Sequence, residues 1–105
     1  MKSILQTEKE CYLCRIKAEK IGYCGELSPY NLHRHHIVFG TSGRKLSEKY
    51  GLWVYVCEEK HHEHGPESPH QNIEVKNFLI REAQKKYEES NSHEEWMSIF
   101  GRNWL

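Results

Sequence analysis

The stretch NLHRHHIVFGTSGRKLSEKYGLWVYVC, residues 31–57, decides how this chain folds. Two β-prone runs, Asn31–Phe39 and Leu52–Val56, bracket the turn GTSGRK and a segment, Leu46–Tyr50, with room for about one turn of helix. The reading is two strands with a short helical insertion. Side chains alternate along a strand, so Leu32, Arg34, His36 and Val38 share one face and His33, His35, Ile37 and Phe39 the other. The adjacent histidines His35 and His36 therefore point in opposite directions.

Upstream, Cys11-x-x-Cys14 has the spacing of a metal knuckle and reads as turn-rich, followed by a loop carrying Gly22, Gly25 and Pro29. Downstream, Cys57 leads into EEKHHEHGPESPH, which has no apolar period and too many potential ligands for an ordinary surface loop. From Asn72, a plausible N-cap, a helical pattern places Ile73, Lys76, Asn77, Ile80, Ala83, Gln84 and Tyr87 on one face, widened by Phe78 and Leu79. Ser92 to Glu95 then forms a capping-box signature before Trp96, Ile99, Phe100 and Trp104, and Gly101 is placed to end that helix. The aromatics read as the lid of a small core.

The chain has 105 residues, enough for one domain, with 37% hydrophobic residues and a mean hydropathy of −0.85. That apolar supply is thin for one core, so a metal is the expected second source of stability. Four Cys and eight His are available for it, seven of the His between His33 and His70. No run approaches the roughly 18 apolar residues of a membrane span, and the opening MKSILQTEKE lacks the apolar centre of a signal peptide. The expectation is a cytoplasmic protein, in which cysteines serve as thiolate ligands rather than disulfides. Formal net charge is zero, but residues 1–50 carry +4 and residues 51–105 carry −4, so an anion-binding face belongs to the N-terminal half.

Zinc favours four tetrahedral nitrogen or sulfur ligands, and the Cys11–Cys14 knuckle is half of such a set. Cys57 and His61, four residues apart after the second strand, are the natural complement. Rival arrangements put Cys24 or His62 in place of one ligand, or make the cysteines buried small hydrophobes. Cys24, without a partner at knuckle spacing, reads as a packed thiol. His35, His36, His62 and His70 remain, too many for a core, and suggest a second, open metal site suited to hydrolysis. A divalent ion there polarises a phosphoryl or carbonyl oxygen while a neutral imidazole takes a proton from water. Strand alternation allows His35 to face the ion and His36 the substrate, although it equally allows His36 to sit in the core.

Cys11-x-x-Cys14, R34-H-H-I-V38, a β-prone strand ending at Cys57, then His61-His62 and P69-H-Q-N72 together resemble the HNH endonuclease superfamily. HHIVFG with the SEKYG turn is similar to small HNH-type proteins of phages and prophages. The resemblance covers about Cys11 to Tyr87. It implies an α+β, zinc-stabilised ββα-metal, treble-clef-like domain, expected over residues 1–90; residues 91–105 lie outside the resemblance and are expected to form a C-terminal helix packed on that domain. It also implies hydrolysis of DNA phosphodiesters, with His36 as general base and His35, His62 and His70 holding a catalytic Mg²⁺ or other divalent ion. Structural zinc falls to Cys11, Cys14, Cys57 and His61, the last standing where the family usually has cysteine, so His61 and His62 are interchangeable. Asn72 becomes an orienting residue or a helix cap, and Arg34, Arg44 and Lys45 would hold neighbouring phosphates. Two other readings compete: a non-catalytic zinc module that binds nucleic acid or a phage or host protein, and a hydrolase of small phosphoesters. Trp96, Ile99, Phe100 and Trp104 would supply a homodimer face if the core did not need them.

Overall fold

The computed structural model describes residues 1–38, 40, 42–58 and 72–105. Its centre is the expected strand pair: β1 (Leu32–His36) runs antiparallel to β2 (Trp53–Cys57), with Leu32 opposite Cys57, Arg34 opposite Tyr55 and His36 opposite Trp53. Directly opposed residues project to the same side. One face thus carries Arg34, His36, Trp53 and Tyr55, and the other carries His33, His35, Val54 and Val56. The alternation read from the sequence is borne out, and Val54 and Val56 are fully buried.

β1 ends at His36 rather than continuing to Phe39, which lies outside the described residues. The reason is a change of hydrogen-bond partner. Ile37 N–H still donates to the Leu52 carbonyl (3.0 Å), but Val38 N–H donates to the Ser47 hydroxyl (3.0 Å). Ser47 is buried in α2 (Gly43–Tyr50), which is a two-turn helix instead of the single turn expected, and this bond fixes it against the strand exit. Gly51 ends α2 in a left-handed conformation (φ +70°), and a Cβ there would also run into the Lys2 carbonyl, so glycine is required on two counts.

The Cys11–Cys14 segment is not a free-standing turn. Cys11 is the N-cap of α1 (Tyr12–Lys20), its sulfur accepting from Cys14 N–H at 3.4 Å, and Cys14 sits in the first helical turn. After β2, α3 (Ile73–Glu88) starts as expected with Asn72 as cap, its side-chain oxygen accepting from Glu74 and Val75 N–H at 2.9 and 3.3 Å. The core face of α3 is Leu79, Ile80, Ala83, Gln84 and Tyr87, with Val75 packed against it; Ile73, assigned to that face by periodicity, is 63% exposed.

Ser92 caps α4 (His93–Phe100) by accepting from Glu95 N–H (3.0 Å), and Gly101 terminates it at φ +71°. Trp96 is completely buried among Tyr87, Phe100 and Trp104, and its indole N–H donates to the Arg102 carbonyl (2.9 Å). Buried Gln84 holds the tail, donating to Asn103 Oδ1 (2.8 Å) and accepting from Trp104 N–H (2.8 Å). These aromatics are therefore the core lid, and Trp96 is spent on packing rather than left for a dimer face. Replacing Trp96 by Ala is expected to cost about 3–5 kcal/mol, visible as a lower urea midpoint with an unchanged metal content.

Among the described residues the architecture is a small α+β arrangement of a two-stranded antiparallel sheet and four helices. Among the described residues no helix is long and apolar enough to cross a membrane.

Candidate metal centre and the histidine face of β1

Two elements, α1 and β2, bring three thiols to one point. Cys11 precedes α1, Cys14 lies in its first turn, and Cys57 is the last residue of β2, opposite the start of β1. The three sulfurs lie within 4.8 Å of one another, and Cys14 Sγ and Cys57 Sγ are 3.8 Å apart. A tetrahedral zinc with Zn–S bonds of about 2.3 Å spaces its thiolates by about 3.8 Å, so the cluster fits such an ion. The thiols join in no disulfide. Burial, followed by the neighbouring Cys11 and Cys57 thiols, pushes the Cys14 thiol up to about 12, and burial likewise raises Cys11. Three thiols this crowded favour a divalent cation that replaces their protons. They could hold zinc with one further ligand.

Cys24 is exposed and stands outside the cluster, which corrects the expectation of a packed thiol. Solvent reaches it because the loop between α1 and β1 runs outside the core, with Ile21, Tyr23 and Tyr30 also exposed. The proposed fourth ligand His61, its rival His62, and His70 all lie outside the described residues.

At the other end of β1 the histidine doublet divides as alternation requires. His35 is buried, 7% exposed, opposite Val54. His36, on the opposite face, has its Nε2 2.8 Å from Glu48 Oε1 of α2. Arg34, two residues earlier on the same face, donates from Nη1 to both Glu48 oxygens at 2.9 and 3.0 Å, and its guanidinium stacks 3.7 Å over the Trp53 ring. In place of the expected phosphate contact, the Arg34 charge is paired with Glu48 and its guanidinium plane is stacked on Trp53. Arg44 and Lys45, in the first turn of α2, are exposed. Asn72 acts as a helix cap, one of the two roles expected for it.

The hydrogen bonds from His36 and then Arg34 hold the Glu48 carboxyl down at about 2, against an ordinary 4.5. A depressed carboxylate contributes stability that is complete above pH 4.5 and is lost as pH falls toward 2. Glu48→Gln should therefore lower stability at neutral pH and flatten the acid limb between those values, so that the two proteins converge as pH approaches 2, as followed by urea unfolding across pH. No motif in the sequence marks Glu48. It lies twelve residues from His36, and only the packing of α2 beside the strand brings the two together.

No family model, curated protein or solved structure matches the chain.

Proposed function

We propose that the protein is a metal-dependent endonuclease of the HNH type that hydrolyses DNA phosphodiester bonds on a ββα-metal scaffold. The reading is carried by His36: a half-buried imidazole at the end of β1, hydrogen-bonded to a carboxylate, on the face opposite a buried second histidine. Leu32 and Cys57 stand at one end of the strand pair and His36 and Trp53 at the other. Four residues of strand separate them by roughly 13 Å. The thiol cluster is thus too remote to serve His36 and takes the structural role, joining α1 to β2.

In this reading His36 takes the proton from the attacking water, a task for which an imidazole side chain, able to accept and release a proton near neutral pH, is chemically suited. His35, with His62 and His70, would hold a divalent cation such as Mg²⁺. That ion, when bound, would stabilise charge on the scissile phosphate and the leaving oxygen. Arg44 and Lys45 hold flanking phosphates from the exposed start of α2, where the helix N-terminus adds to their positive field. Arg34 contributes by anchoring Glu48.

The thiol cluster alone would also suit a non-catalytic zinc module that binds nucleic acid or another protein. Metal counting separates the two. Protein carrying one tight zinc should bind a second, weaker divalent ion in a calorimetric titration, and His35→Ala should remove only that second event. One zinc with no further binding would leave the module as the better description.

A further inference from the structure

Glu48 touches two β1 side chains at once. Its Oε1 is 2.8 Å from His36 Nε2 and 2.9 Å from Arg34 Nη1, and its Oε2 is 3.0 Å from the same Arg34 nitrogen. Arg34 is immobilised in turn by its stack on Trp53, a nearly buried residue. An exposed arginine–glutamate pair by itself is ordinary surface chemistry and is worth little. What sets this pair apart is the third partner, because a carboxylate gripped by a stacked guanidinium has a fixed orientation and a fixed acceptor position.

We propose that Glu48 is the positioning residue of His36, selecting the imidazole tautomer protonated at Nε2 and presenting Nδ1 to the reacting water. An ionised carboxylate only accepts hydrogen bonds, so the ring nitrogen facing it must be the one that carries hydrogen. The neutral ring then has a single lone pair, on Nδ1, pointing away from α2. The low proton affinity of Glu48 agrees with this, since the carboxyl stays ionised throughout the range in which an imidazole is neutral. Glu48 does not itself touch substrate; it acts through His36, as carboxylates that orient a catalytic or ligating histidine commonly do. The catalytic consequence rests on the endonuclease reading, whereas the tautomer does not.

The test is ¹⁵N NMR of the His36 ring, recorded on zinc-loaded protein well above the ordinary imidazole pKa of about 6.5, together with cleavage kinetics. Wild-type protein should show hydrogen on Nε2 alone. Glu48→Ala should give the averaged shifts of a mixed-tautomer ring and lower kcat by about 10–100-fold with KM unchanged. Glu48→Gln, which keeps an oxygen acceptor at that position, should retain the tautomer and recover most of kcat. A wild-type ring protonated on Nδ1 would overturn the assignment, and so would a Glu48→Ala protein with wild-type shifts and kcat. A rise in KM at constant kcat would overturn it too, by making Glu48 part of the phosphate-holding surface. If wild-type protein cuts no DNA, the endonuclease reading is lost, and the ring shifts alone decide whether Glu48 sets the tautomer.

Discussion

Stripping zinc with a strong chelator, or replacing Cys14 by Ser, is expected to abolish the cooperative thermal transition of this protein. A two-stranded sheet is marginal in water on its own, and α1 contributes only Leu13 and Ala18 as buried residues beyond its cap. The helix is therefore tied to β2 chiefly where Cys11 and Cys14 meet Cys57. Structural zinc in small domains contributes on the order of 10–16 kcal/mol at neutral pH, comparable with or above the 5–15 kcal/mol typical of a whole domain's stability. Loss of one thiolate should thus outweigh any single packing change, Trp96→Ala included. Calorimetry should show the Cys14→Ser protein without a transition and with less than stoichiometric zinc. Cys24→Ser should behave as wild type, because Cys24 is exposed and outside the cluster. A chelated protein that keeps its transition temperature would remove zinc from the account of stability.

The second large effect falls on activity. His36→Ala should slow DNA cleavage by about 10²–10⁴-fold, the usual worth of a general base. Zinc content and melting temperature should stay close to wild type. The separation of effects follows from position: His36 lies at the strand end away from Cys57, and its loss leaves Arg34 still paired with Glu48. Single-turnover nicking rates, compared at equal zinc loading, measure the change. Undiminished cleavage by the variant would take His36 out of the mechanism.

Local rules made much of this structure legible in the sequence. Strand alternation separates His35 from His36 because the period of two is a property of the backbone and needs no tertiary information. Asn72, Ser92 and Gly101 mark helix ends through hydrogen bonds and a left-handed turn contained within a few residues. What local rules missed depends on packing. Cys11 caps a helix through its sulfur, a role the knuckle spacing does not distinguish from a turn. Ile73 fits the α3 period yet lies outside the core, since periodicity defines a face but not how much of it is covered. Glu48 is the clearest case: its neighbours in α2 say nothing of His36, and the contact arises from the packing of α2 beside the end of β1, where Ser47 accepts from Val38 N–H. The thiol cluster lies between these cases, with Cys11 and Cys14 visible as a pair and Cys57 joined to them by the course of β2.

The charge pattern gains meaning from the same geometry. Arg34 belongs to the positive N-terminal half but is neutralised by Glu48, which leaves Arg44 and Lys45 as the exposed cations closest in sequence to the His36 region. A surface of so few phosphate contacts predicts weak DNA affinity with only a shallow dependence on salt.

The most direct test is incubation of zinc-loaded protein with supercoiled plasmid at low salt, with and without added Mg²⁺ or Mn²⁺. The account predicts nicked or linear DNA only when the second ion is present. Plasmid left supercoiled by fully folded, zinc-loaded protein with either ion would contradict it.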